Sequence, residues 1–311
     1  MGKVFQAAAI FYEEDVMISE RTEILKSFDG TDILFRVFSP HKRERRTRPA
    51  GLILAAHDFG EHSGRYAELA EELCGNNLAL ASFDLRGHGK SGPRRGDAEN
   101  FQAMVADIIF MMNHSRSFLG LDSSGTTFFG VMGLGFGALL ATYASSILGS
   151  SCPPLFLASP LFSSKQKIPT WKKIVAVSLP RIAPIAQLPR NFIADTVVPT
   201  PSVTPDTPAD PLNLPSLTSR MEEIILQATE DFRVRNALTQ TESPITVLCG
   251  SLDSTIDVDR VQALFPTLGS KESILHLIEG GEHDLFQKSS KTRAQVIEHV
   301  LHWVKSQGAS Q

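Results

Sequence analysis

Gly133-Leu134-Gly135-Phe136-Gly137 is the stretch on which the reading of this 311-residue chain turns. Before it, Thr126 to Val131 is rich in β-branched and aromatic residues, as a buried strand is. After it, Ala138 to Ser145 is small and apolar, as the opening of a buried helix is. Closely spaced glycines between the two predict a sharp strand-to-helix turn. In such a turn the outer glycines make room for backbone passing close by, and the central residue projects above the sheet edge. Gly135 projects no side chain there. Gly133, Gly135 and Ala138 also fit the dinucleotide pattern G-x-G-x-x-A, but that pattern needs an early βαβ unit and an acidic residue closing the next strand. Several strands precede this turn, and the next strand, Leu155 to Ala158, runs into Ser159-Pro160. A plain tight turn is the remaining alternative until the rest of the chain is read.

Upstream, Glu23 to Lys26 and Ile33 to Phe38 are strand-like runs around Asp29-Gly30, a hairpin signal. Gly51 to Ala56 and Leu78 to Phe83 are continuous apolar runs separated by a helix over Tyr66 to Leu73, and Phe101 to His114 has helical periodicity. Such runs suit a parallel sheet covered on both faces. Downstream of Pro160 the rhythm breaks until about Arg235, with Pro199, Pro201, Pro205, Pro208, Pro211 and Pro215 among aliphatic and basic segments. It resumes with a strand at Ile245 to Cys249, a helix at Val258 to Phe265, a strand at Ser273 to Ile278 and a closing amphipathic helix at Thr292 to Gln307. The long interruption reads as a cap over the carboxyl edge of the sheet.

Composition limits the function classes. With 42% hydrophobic and 21% charged residues the chain is globular, and a formal charge of -4 supplies no general pull toward nucleic acid. The basic run His41 to Arg48 is local and reads as a solvated loop. Cys74, Cys152 and Cys249 are odd in number, scattered and set among apolar residues. They point to no disulfide framework or metal site, and to a reducing, cytoplasmic compartment. The apolar run Val4 to Tyr12 is too brief for a signal segment or a span, and Gln6 does not fit an N-myristoylation pattern after Met1-Gly2.

In open parallel sheets, chemistry collects at the carboxyl ends of strands. Three ends besides the glycine turn carry polar residues: His57-Asp58-Phe59-Gly60-Glu61-His62-Ser63-Gly64-Arg65-Tyr66, Gly250-Ser251-Leu252-Asp253, and Glu279-Gly280-Gly281-Glu282-His283-Asp284. The chain order is then nucleophile position, acid, base, with Gly135 where the motif G-x-S-x-G has its serine. With Asp84-Leu85-Arg86-Gly87-His88-Gly89-Lys90-Ser91, Ser159-Pro160-Leu161 and Asp210-Pro211-Leu212, the chain resembles the monoacylglycerol lipase and lysophospholipase (serine aminopeptidase S33-like) branch of the α/β-hydrolases, from about Phe28 to Val304.

That resemblance implies an α/β-hydrolase fold: a mostly parallel central sheet with an N-terminal antiparallel hairpin, helices on both faces, and an inserted cap. The core would comprise residues 20–159 and 236–307, and the cap residues 160–235. It further implies His283 as general base, Asp253 as the carboxylate orienting it, and the backbone N–H groups of Phe59 and Phe136 as oxyanion hole. The cap would form an apolar acyl-chain tunnel, compatible with Ile174, Val175, Val177, Leu179 and Ile182. The expected partner is a small apolar or acyl-ester ligand, with no cofactor, no metal and no nucleic acid. Peripheral membrane contact through the cap is allowed, and no protein partner is specified.

Three departures from the family cluster at the chemistry. Gly135 replaces the serine, Leu134 stands where histidine is frequent, and Asp58 stands where glycine adjoins the oxyanion hole. The first removes covalent acyl transfer. The carboxylate of Asp58 would oppose an oxyanion unless it turned away or were protonated. Three readings follow: a natural pseudohydrolase holding an apolar ligand or protein partner, a serine ester hydrolase from which only the nucleophile has been removed, or an enzyme whose His283 activates a water in the space left by Gly135. Asp84 and His88 read as structural, and His57 and His62 as loop-shaping.

Overall fold

The computed structural model describes residues 9–11, 16–42, 48–118, 128–189, 192, 210–286 and 291–308. The centre of the basic run, Thr126, most of the early apolar stretch and Pro199, Pro201, Pro205 and Pro208 lie outside them. The chain opens with β1 (Ala9–Phe11), β2 (Val16–Lys26) and β3 (Asp32–Lys42), antiparallel to one another, the last two joined through Asp29-Gly30 with Gly30 at a φ of 86°. Strand β2 begins at Val16, seven residues before the expected start at Glu23. Its Glu20, Arg21, Thr22 and Glu23, beyond the pairing with β1, are at most partly buried, and a solvated stretch of strand edge needs no apolar run.

Then follow β4 (Gly51–Ala56), α1 (Ala67–Gly75), β5 (Leu78–Phe83), α2 (Phe101–Phe118), β6 (Phe128–Leu134), α3 (Phe136–Leu148) and β7 (Leu155–Ala158). Next come α4 (Thr170–Ser178), an antiparallel pair β8 (Gln187–Pro189) and β9 (Ser216–Thr218), α5 (Ser219–Ala228) and α6 (Asp231–Gln240). The chain closes with β10 (Ile245–Gly250), α7 (Val258–Leu264), β11 (Ile274–Ile278) and α8 (Arg293–Gly308). The nine-stranded sheet has the order β1-β2-β3-β5-β4-β6-β7-β10-β11, parallel from β5 onward.

Alternation along the strands divides the core. Leu52, Leu54, Val131, Leu155 and Val247 face α2 and α3 through Ile108, Met111, Leu139 and Leu140, while Ile53, Leu80, Met132, Phe156 and Leu248 face α1 and α8 through Leu69, Leu73, Val300 and Trp303. Both faces are covered, which is why these strands read as unbroken apolar runs. Gly130 sits inside β6 because the Trp303 ring occupies the volume of its missing side chain.

The segment after β5 is an internal brace. Asp84 accepts from Ser63 N and Oγ at 2.8 and 2.6 Å and from Lys90 N at 2.8 Å. Fully buried Arg86 grips Asp107 of α2 through two nitrogens, at 2.8 and 3.0 Å. It also reaches Asp29 at 2.7 Å, Glu99 at 2.9 Å and Thr31 at 2.9 Å, joining the hairpin turn to α2. In the insertion, Thr218 caps α5 by accepting from Met221 N and donates to Asp97 of the core at 2.7 Å. Helix α6 packs on α3, so residue 235 lies within a helix laid against the core.

Candidate active site

Four strand ends converge. The loop after β4 presents Asp58, the β6–α3 turn presents Gly135 and Phe136, the loop after β10 presents Asp253, and that after β11 presents His283. Gly135 has φ 53° and ψ -112°, in the left-handed region that glycine enters without strain. The outer glycines are fixed sterically: a Cβ on Gly133 would strike the Ala138 backbone, and one on Gly137 the carbonyl oxygens of Ala56 and His57.

The carboxylate of Asp58 fills the centre of this convergence. Its Oδ1 accepts from Phe59 N and Phe136 N, both at 2.7 Å, and its Oδ2 accepts from His283 Nε2 at 3.0 Å. His283 Nδ1 donates to Asp253 Oδ2 at 2.8 Å, and Asp253 Oδ1 accepts from Thr255 N and Ile256 N at 2.8 and 3.1 Å. Asp58, Asp253 and His283 are all buried. A Cβ built on Gly135 would fall on the Asp58 carboxylate. The two amides expected to form an oxyanion hole therefore already hold an anion supplied by the chain. Asp58 does not turn away. The space beside Gly135, expected under one reading to hold a water, contains its carboxyl group. Leu134, the third departure, is buried in the core and packs on the α1–α8 side of the sheet.

The electrostatics follow from this chain of contacts. Burial by itself would lower the His283 pKa, but hydrogen bonds and charge from Asp253 and Asp58 outweigh it and hold the value at about 10. Burial pushes the Asp58 and Asp253 pKa values up; His283 and the backbone amides more than offset that and keep both below the usual carboxylate value. The group is a carboxylate, an imidazolium and a second carboxylate in line. Because the folded pKa of His283 lies above its ordinary 6.5, the stability it contributes is full below that pH and is lost as pH rises toward about 10. The two carboxylates contribute above their ordinary range and lose that contribution on acidification. In a proton–nitrogen NMR titration, His283 is expected to stay an imidazolium well above pH 7, and Asp58→Asn to bring its midpoint down. A His283 midpoint near 6.5 in both proteins would contradict this arrangement.

The neighbouring histidines are bound differently. His57 accepts from Leu85 N at Nε2, 2.9 Å, so its Nδ1 carries the proton donated to Asp58 O at 2.7 Å. Burial drives its pKa down to about 3, and it stays neutral. His62 accepts from Gly64 N at Nδ1, 3.1 Å, and its Nε2 faces Asp210 Oδ2 at 2.8 Å, tying this loop to the Asp210-Pro211-Leu212 segment. His88 Nδ1 contacts Arg86 O at 2.9 Å. Further support comes from Ser159 Oγ, which donates to His283 O at 2.7 Å, from Arg65, which pairs with Glu61 and with Asp284 next to His283, and from Lys165 Nζ, which donates to Asp253 O at 3.1 Å; of these residues only Lys165 lies outside the motifs quoted from the sequence. The His62 partner was within reach, since both residues belong to motifs quoted from the sequence.

A mostly parallel sheet, a glycine-framed turn between strand and helix, and an acid and a histidine on the last two strand ends define an α/β-hydrolase. The sequence pattern of the serine aminopeptidase S33 family matches residues 47–289, and the chain belongs to that family. It is 26% identical to human monoglyceride lipase over 288 residues, covering 92% of this chain and 91% of that protein. It is 24% identical to the monoacylglycerol lipase of Mycolicibacterium smegmatis over 281 residues, covering 89% and 94%. The structure of a soluble variant of Saccharomyces cerevisiae monoglyceride lipase with a substrate analog superposes with a TM-score of 0.75 at 17% identity, covering 90% of this chain and 94% of that one.

Proposed function

We propose that this chain is a natural, non-hydrolysing member of its family, which binds a small apolar or acyl-ester ligand beneath the cap at residues 160–235 and does not cleave it through a serine-type acyl-enzyme. The observation that carries this reading is the Asp58 carboxylate bonded at once to Phe59 N, Phe136 N and His283 Nε2. Acyl transfer needs a hydroxyl at position 135, an unprotonated Nε2 and vacant amide donors. Position 135 offers no hydroxyl, the imidazole is held protonated at neutral pH, and the donors are filled. Removal of a nucleophile from an otherwise intact site would have left the amides vacant, so natural divergence is favoured over a one-residue loss.

Asp253 and His283 keep the acid and base positions of the family but serve here as an ion-paired anchor for Asp58. The protein is expected to bind a non-hydrolysable ether analogue of a monoacylglycerol saturably by calorimetry while leaving the ester itself uncleaved. Turnover of the ester that disappears in His283→Ala would sink the reading. Three free, buried cysteines fit a cytoplasmic setting.

Peripheral membrane contact through the cap is favoured by a specific observation. Trp171, Ile174, Ile182 and Ile185 are exposed beside Lys172, Lys173 and Arg181. Exposed Ile174 and Ile182 suit such a surface better than the wall of the expected acyl tunnel. No described helix is long and apolar enough to cross a membrane. Co-sedimentation with anionic vesicles is expected, and Trp171→Ala with Ile182→Ser is expected to weaken it. Equal sedimentation of the two proteins would exclude contact through this face.

A further inference from the structure

Strand β11 closes one side of the nine-stranded sheet, and its outer edge meets no partner strand among the described residues. Ser251 N donates to Ile278 O at 2.9 Å, so Ile278 turns its backbone polar groups toward β10. Alternation turns those of His276 and Ile274 the same way, and those of Leu275 and Leu277 outward. Edge strands are ordinarily blunted by lysine, proline, a bulge or a covering element. Ile274-Leu275-His276-Leu277-Ile278 carries no proline, lysine or carboxylate, and it runs beside β10 without a bulge, from Thr246 opposite Ile274 to Gly250 opposite Ile278. Ile274 and Leu277, on opposite faces, are 49% and 44% exposed. We propose that β11 pairs antiparallel with β11 of a second copy of this chain, centred on Leu275, so that one sheet runs through both protomers.

Backbone geometry and charge select this occupant and this register. Across a twofold axis, outward-facing residues must lie opposite outward-facing ones, so the axis falls on a residue and not between two. Centred on Leu275, the edges bond Leu275 to its own counterpart and Ser273 to Leu277, and Lys271 stands opposite Glu279, twice by symmetry. Centred on His276, Lys271 would meet Gly281 and the two His276 rings would meet each other. Centred on Ile274, Lys271 would meet Leu277 and Glu279 would meet Gly269. Of these registers only the first joins opposite charges, and both Lys271 and Glu279 are exposed. A second copy therefore brings the complementary charges by symmetry alone.

The same register places Ile274 of one copy beside His276 of the other, at a position without exchanged hydrogen bonds, where facing side chains come closest. The His276 ring already rests on His299 of α8, with centroids 4.3 Å apart, so Ile274 meets a fixed surface. One short edge is a small interface, and the dimer is accordingly weak and concentration-dependent. The loop that carries His283 begins at Glu279, so the pairing fastens the root of that loop.

Sedimentation velocity of the full chain, across micromolar to high-micromolar concentrations, is expected to show a reversible monomer–dimer equilibrium. Leu277→Lys and, separately, Ile274→Lys put a charge on either face of the edge and are expected to leave the protein monomeric. Lys271→Glu sets glutamates opposite one another and is expected to raise the dimer dissociation constant about tenfold; adding Glu279→Lys is expected to restore it. Circular dichroism checks that each variant is folded, and if Leu277→Lys or Ile274→Lys is not, the exchange of the two exposed charges decides. A chain that stays monomeric throughout, or a dimer indifferent to folded Leu277→Lys and Ile274→Lys, overturns the proposal. A dimer weakened by Lys271→Glu and not recovered in the double variant overturns it as well, because the edges then do not meet about Leu275. Assembly growing past the dimer does so too, since one edge paired across a twofold axis is closed.

Discussion

Asp58→Gly combined with Gly135→Ser is expected to hydrolyse a monoacylglycerol at least about a thousandfold faster than either single variant, from the joint return of a nucleophile and of vacant oxyanion donors. Each single change is insufficient for its own reason. Serine at 135 alone brings a Cβ onto the Asp58 carboxylate, so the side chain or the turn must shift before any hydroxyl can approach His283. Glycine at 58 alone frees Phe59 N and Phe136 N and removes one carboxylate from His283, which lowers its pKa toward that of a working base, but supplies nothing to acylate. The measurement is initial rate on a monoacylglycerol beside labelling by a fluorophosphonate, with all three proteins checked for folding. A double variant no faster than Gly135→Ser would show that the pocket around the site has also left the family's chemistry.

Arg86→Met is expected to cost about 3–5 kcal/mol of stability, because it strips the cation from a buried carboxylate. Asp107 would keep Ser27 Oγ as a donor and lose both guanidinium bonds, while Asp29, Glu99 and Thr31 would lose their shared partner. Arg86→Lys should recover only part of the loss, since an ammonium cannot span both Asp107 oxygens. Chemical denaturation read by tryptophan fluorescence gives the value. A shift under about 1 kcal/mol would mean that the brace is dispensable, and Arg86→Met with Asp107→Leu should lie closer to the parent than Arg86→Met alone.

Much of this architecture is legible in the sequence for a physical reason. Strands β4, β5, β6, β7 and β10 are covered on both faces and so appear as unbroken apolar runs. The middle of β2 is hidden because Glu20 to Glu23, beyond the pairing with β1, form a partly solvated edge that carries no apolar run. The site is legible in outline, since the order of the polar loops after the strands follows the chain. The seat of Asp58 is not legible. Its side chain bonds across the β6–α3 turn, 78 residues away, and to His283 after β11, 225 residues away. No linear pattern specifies that reach. The two departures expected from the resemblance, no side chain at Gly135 and a carboxylate at Asp58, were the available signal. Read separately they suggest a vacancy and a repulsion; in the structure the Asp58 carboxylate lies where a Cβ on Gly135 would fall.

The Asp58 carboxylate also bears on how this protein would behave among others. A tethered anion competes at an effective concentration that no free inhibitor approaches. Boronates, phosphonates and other oxyanion mimics that capture serine hydrolases would have to displace a group that never leaves. A proteome surveyed with such reagents would register nothing for this chain, however abundant it was. Its ligands are better sought by methods that ask for occupancy, such as thermal-shift profiling or native mass spectrometry.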